Sequence, residues 1–128
     1  MGKSILVVDD NFDATEITRT VLTLRGYEVR VVHNGRDALA AVQAEHPDLI
    51  VLDVMMPDMS GMEVLERIKD DPETAHLPVI MCTARSKDTD FLDGYRSGAD
   101  YYITKPFTAQ QLMYGVQLLL GDQESARS

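Results

Sequence analysis

The chain has 128 residues, 12 basic and 21 acidic side chains, a formal net charge of −9, 45% apolar residues and one cysteine. This suits one globular domain with its own core, and it excludes wholesale disorder and an internal disulfide framework. No apolar run approaches the roughly 20 residues of a membrane span, no secretory signal opens the sequence, and the acidic balance argues against gripping nucleic acid directly, so a soluble, cytoplasmic protein with no membrane insertion is expected.

Residues 4–8 are a short apolar run, read as a first strand. Residues 12–25 carry Ile17, Val21 and Leu24 at helical spacing, and Gly26 stands at the helix stop. Residues 28–33 are a Val-rich second strand. Asn34 is placed to cap a helix that keeps Leu39 and Val42 on one face and stops before Pro47. Residues 49–52 form a third apolar strand, followed by a turn-rich loop at 57–61. Ser60 and Glu63 have capping-box spacing before a helix bearing Leu65 and Ile68, which Asp71-Pro72 ends.

Residues 79–82 are a fourth strand. A weaker helix at 87–97 contains Gly94 and precedes Gly98. Residues 101–104 are a fifth strand, and Thr108 with Gln111 repeats the capping-box spacing before a last helix carrying Leu112, Val116 and Leu119. The residues after Gly121 are a polar tail. Five strands alternating with five helices predict an α/β domain with a parallel sheet and helices on both faces. Strands one, three and four are apolar throughout and belong in the centre; strands two and five are mixed and fit the edges.

Chemistry-bearing residues recur at strand ends. Asp9 and Asp10 follow the first strand, Asp53 the third, Thr83 the fourth and Lys105 the fifth. Each alone reads as a turn, a cap or an ordinary surface group. Together they point to the carboxyl edge of the sheet, where open α/β folds place their sites. Clustered carboxylates repel unless a cation compensates, and a hard divalent ion is the natural one. Beside such an ion a carboxylate can attack phosphorus and form an aspartyl phosphate, with a lysine and a hydroxyl stabilising the transferred group.

The sequence resembles the receiver domain of bacterial two-component response regulators. The resemblance rests on Val7-Val8-Asp9-Asp10-Asn11, on Leu52-Asp53-Val54-Met55-Met56-Pro57-Asp58-Met59-Ser60-Gly61 and on Cys82-Thr83-Ala84. Ser97-Gly98-Ala99-Asp100-Tyr101 and Thr104-Lys105-Pro106-Phe107 complete it. It implies a flavodoxin-like, doubly wound five-stranded sheet of order 2-1-3-4-5, with the receiver at residues 1–121 and a tail at 122–128. It also implies a phosphorylation-activated signalling switch, not an enzyme with a separate substrate, although it would catalyse its own phosphorylation and dephosphorylation.

Carried over by position, the resemblance makes Asp53 the phosphoacceptor. Asp10 becomes a direct Mg²⁺ ligand, Asp9 an acid holding the ion through water, and the Met55 carbonyl a further ligand. Thr83, Lys105 and the Ala84 N–H would contact the phosphoryl group. Thr83 and Tyr102 would form the switch pair, and the bond to Pro106 would be cis. Met55 and Arg85 would tune the phosphate's lifetime; an apolar Met55 should hinder the hydrolytic water.

A sensor histidine kinase or phosphotransfer protein would donate the phosphoryl group. The face of the fourth helix, fifth strand and fifth helix would engage a downstream protein or a second copy, with Phe91, Tyr95, Tyr102, Met113 and Leu120 as candidates. A stand-alone regulator or phosphorelay intermediate is preferred over a receiver cut from a regulator with a DNA-binding or enzymatic output domain. A haloacid-dehalogenase-type phosphatase fits poorly, because Asn11 and Phe12 occupy the positions where its second aspartate would stand. Cys82 reads as a buried thiol, and His33, His46 and His76 lack metal-ligand spacing. The methionines near Asp53 read mainly as core.

Overall fold

The structure is a computed structural model that describes residues 2–84 and 98–121. The helix expected at 87–97, with Phe91 and Tyr95, lies outside the described residues, as do Arg85 and the tail. Five parallel strands run in the order β2-β1-β3-β4-β5: β1 (Ser4–Val8), β2 (Glu28–Val32), β3 (Leu49–Asp53), β4 (Val79–Ala84) and β5 (Tyr101–Lys105). The helices among the described residues are α1 (Phe12–Leu24), α2 (Gly35–Ala44), α3 (Gly61–Asp70) and α4 (Ala109–Leu120). The doubly wound order is the one the resemblance implies, and the edge positions of β2 and β5 are as expected from their composition.

Alternation along the strands splits the core in two. Leu6, Val8, Ile50, Leu52 and Met81 meet α2 and α3 through Ala38, Val42, Val64, Leu65 and Ile68. Ile5, Val7, Leu49, Val51 and Ile80 meet α1 and α4 through Leu22, Leu112, Met113 and Val116. Each fully buried Leu or Ile contributes about 1.5–3 kcal/mol relative to exposure, so the central strands anchor both layers.

Helix α1 departs from its predicted face. Thr15, Thr18 and Leu22 are buried, whereas Ile17 and Leu24 are exposed. Thr15 can be buried because its hydroxyl donates to the Phe12 carbonyl at 2.9 Å, so a polar residue takes a place that hydrophobic periodicity assigns to Ile17. At α3, Ser60 caps the Glu63 N–H, but the Glu63 carboxylate pairs with Arg67 at 3.0 Å, and the reciprocal half of that box is not made. The Thr108–Gln111 box closes in both directions.

Candidate functional site

Strand order reverses between β1 and β3, and the carboxyl ends of the strands meet there. β1 delivers Asp9 and Asp10, β3 ends on Asp53, β4 holds Thr83 and β5 ends on Lys105. The β4–β5 register sets Thr83 opposite Thr104 and Ala84 opposite Lys105. The loop leaving β3 is fastened at its base. Val54 N–H donates to the Cys82 carbonyl at 3.0 Å, and Gly61 N–H to the Val54 carbonyl at 2.8 Å. Gly61 has no room for a side chain, because a Cβ would run into the Asp53 carbonyl.

Lys105 Nζ joins two carboxylates, donating to Asp9 Oδ2 at 2.8 Å and standing 3.0 Å from Asp53 Oδ1. Asp9 and Asp53 are buried while Asp10 is exposed, and ligand atoms of all three lie within 4.8 Å of one another. Asp9 uses both oxygens within the protein, since Oδ1 also accepts the Asn11 N–H at 3.0 Å. Asn11 in turn caps α1 through its side chain.

Burial pushes the Asp53 carboxyl up to about 6; Lys105 pulls it down by hydrogen bond and charge, and Asp9 and Asp10 push it up. Burial opposes the charged form of Lys105, but its hydrogen bonds and ion pairs with Asp9 and Asp53 prevail and hold its pKa above the ordinary value. The neighbouring Cys82 thiol is pushed up to about 12, chiefly by burial, and is inert as a nucleophile at neutral pH.

Two features of the site fit a phosphoryl group beside a hard divalent cation. Three carboxylates gather at one point and Lys105 pairs with two of them, so the cluster carries excess negative charge on oxygen donors. Among the described residues, Thr83 Oγ1 is buried without a hydrogen-bond partner. A buried orphan hydroxyl is costly, and a phosphoryl oxygen is a group it could serve.

A family profile described as "Response regulator receiver domain" matches residues 5–117. The chain belongs to the response regulator receiver domain family. It is 38% identical to the phosphate regulon transcriptional regulatory protein PhoB of Pseudomonas aeruginosa, over 98% of this chain and 57% of that protein. It spans about half the length of several curated relatives that it matches. A putative response regulator from Chloroflexus aurantiacus superposes with a TM-score of 0.90 at 34% identity, covering 94% of this chain and 98% of that one. The chemotaxis protein CheY4 of Vibrio cholerae gives 0.88 at 30% identity, covering 94% and 100%.

This receiver places Tyr102 in β5, buried, and its Lys105–Pro106 bond is cis. Met55 departs from the core reading: it is 66% exposed, whereas Met56, Met59 and Met62 pack partly buried against the core. Of the apolar residues nominated for the partner face, Met113 is buried and Leu120 half-buried. The large exposed apolar residues of α4 are Tyr114 and Leu118, and the Tyr114 ring lies 6.1 Å from that of Tyr101.

Sequence reasoning also missed Asp58. Its carboxylate accepts the Gly35 N–H at 3.0 Å and the Arg36 N–H at 3.1 Å, capping α2 from another loop. An Asp just after Pro57 signals side-chain-to-backbone bonding, but nothing local names a partner 23 residues away.

Proposed function

We propose that this receiver accepts a phosphoryl group on Asp53 from the phosphohistidine of a sensor kinase or phosphotransfer protein. The acyl phosphate then biases the domain toward a form that engages a downstream partner. The observation that carries this is the buried Asp53 carboxylate, held 3.0 Å from Lys105 inside the acid cluster.

An Asp53 oxygen attacks phosphorus in line with the P–N bond. That bond breaks, and the imidazole nitrogen keeps the electron pair. Lys105 stays beside the acceptor and meets the negative charge of the transferred group. Thr83 turns its unpaired hydroxyl to a phosphoryl oxygen, with the Ala84 N–H beside it, and the buried Tyr102 ring follows Thr83. When bound, Mg²⁺ supplies neutralisation of the acceptor and phosphoryl charges. Asp10, Asp53 and the Met55 carbonyl would hold it, and Asp9 would hold its water. The exposed Met55 side chain and Arg85 would set how readily water reaches the acyl phosphate.

The switch occupies residues 1–121 and works in the cytoplasm, where kinase and partner meet it. Its partner, or a second copy joining after phosphorylation, engages the side of the domain that carries β5 and α4. A second reading, in which the receiver belongs to a longer regulator, is favoured by its covering 57% of PhoB. The test is transfer from a phosphohistidine donor. Label should reach the wild type, fail with EDTA or with Asp53→Ala, and be released by hydroxylamine. Label retained by Asp53→Ala would overturn the assignment.

A further inference from the structure

The loop between β3 and α3 has two anchorages. Its base is closed by Gly61 and Val54. Its tip is fixed to α2 by Asp58, each of whose oxygens takes one N–H of the first turn, at 3.0 Å from Gly35 and 3.1 Å from Arg36. Asn34 takes the Asp37 N–H at 2.7 Å, so the three leading donors of the helix are satisfied from two different segments. The docking is close. A Cβ on Gly35 would stand 2.8 Å from Met59 Cβ and 3.0 Å from Val64 Cγ2.

We infer that Asp58 is a positioning residue for the acceptor site: by bolting the loop tip to α2, it presets the Met55 carbonyl between the two anchorages for a divalent ion. The inference rests on the reading of Asp53, Asp10 and Met55 as the ion's site. Asp58 is five residues from the acceptor in the chain and touches neither ion nor phosphate; it acts through the backbone of residues 54–58. The helix end suits an anion, because its N–H groups and dipole both favour a carboxylate. The pairing therefore fixes the loop's distance from the sheet, as a supporting group behind a metal ligand does.

The test is calorimetric titration of Mg²⁺ alone into wild type, Asp58→Ala, Asp58→Asn and Asp53→Ala, with thermal unfolding of each in EDTA. Asp58→Ala should weaken Mg²⁺ binding on the order of tenfold. Asp58→Asn keeps one acceptor oxygen and should fall between Asp58→Ala and the wild type. A purely structural cap would lower the unfolding temperature in EDTA and leave Mg²⁺ affinity unchanged, which would overturn the inference. If Asp58→Ala does not fold, Asp58→Asn decides by the same comparison. If the wild type binds no Mg²⁺, or Asp53→Ala binds it as well as the wild type, the underlying site is wrong and the inference falls with it.

Discussion

Lys105 stands 3.0 Å from Asp53 although β4 separates their strands, so one ammonium spans the sheet edge to hold the acceptor. It lowers the Asp53 pKa against burial and two neighbouring acids. Lys105→Met should therefore raise the Asp53 carboxyl above its value near 6, by about one pH unit or more. Carbon-13 NMR titration of the side-chain carboxyl without divalent ions checks this. An unmoved titration would mean that the lysine does not control the acceptor's charge.

Asp53 makes stability fall as pH rises. Its folded pKa is near 6 and its ordinary value 3.8, so the folded state holds the proton more tightly. The stabilisation is full below pH 3.8 and is lost as pH rises through about 6. That gap corresponds to about 3 kcal/mol. Asp53→Asn should be more stable than the wild type at pH 7.5 in EDTA, by about 2–3 kcal/mol, and should not show the decline between pH 4 and 6. Asp58 runs the other way. The Gly35 and Arg36 N–H groups lower its pKa, so its contribution is present above 3.8 and lost as pH falls through its folded value. Urea denaturation across the pH range reads both.

Thr83→Val removes the hydroxyl and keeps the shape. Because Oγ1 is buried without a partner, the substitution should leave stability unchanged or raise it by about 1 kcal/mol. The same variant should lose the chemical-shift change at Tyr102 on phosphorylation. Denaturation and NMR with and without phosphodonor read the two effects separately. A variant destabilised yet still switching would reverse the role given to the hydroxyl.

Gly61→Ala should destabilise by about 1–3 kcal/mol, since the new methyl must displace the Asp53 carbonyl and the strand end with it. Denaturation checks the size. Amide shifts centred on Asp53 and Val54 would show where the strain goes.

The alternation of apolar strands and amphipathic helices made the layers legible, because fully apolar runs such as Leu49–Asp53 up to Leu52 can only be central. The acid, Thr and Lys positions were legible because strand ends define the site in this class of sheet. The buried face of α1 was not, since Thr15 satisfies its hydroxyl on the local backbone and hides a core position in a polar residue. The Asp58 clamp was not, because its partners belong to a separate helix. Met55 and Met56 are adjacent and alike in type, and only the loop geometry sends one out and the other in.

The most direct measurement is the intact mass after incubation with acetyl phosphate, with Mg²⁺ and with EDTA, beside Asp53→Ala. The predicted result is a gain of one phosphoryl group that requires the metal and disappears in the variant. A gain that survives in EDTA or in Asp53→Ala, or a wild type that neither acetyl phosphate nor a phosphohistidine donor can load, would contradict Asp53 as the acceptor of a metal-dependent switch.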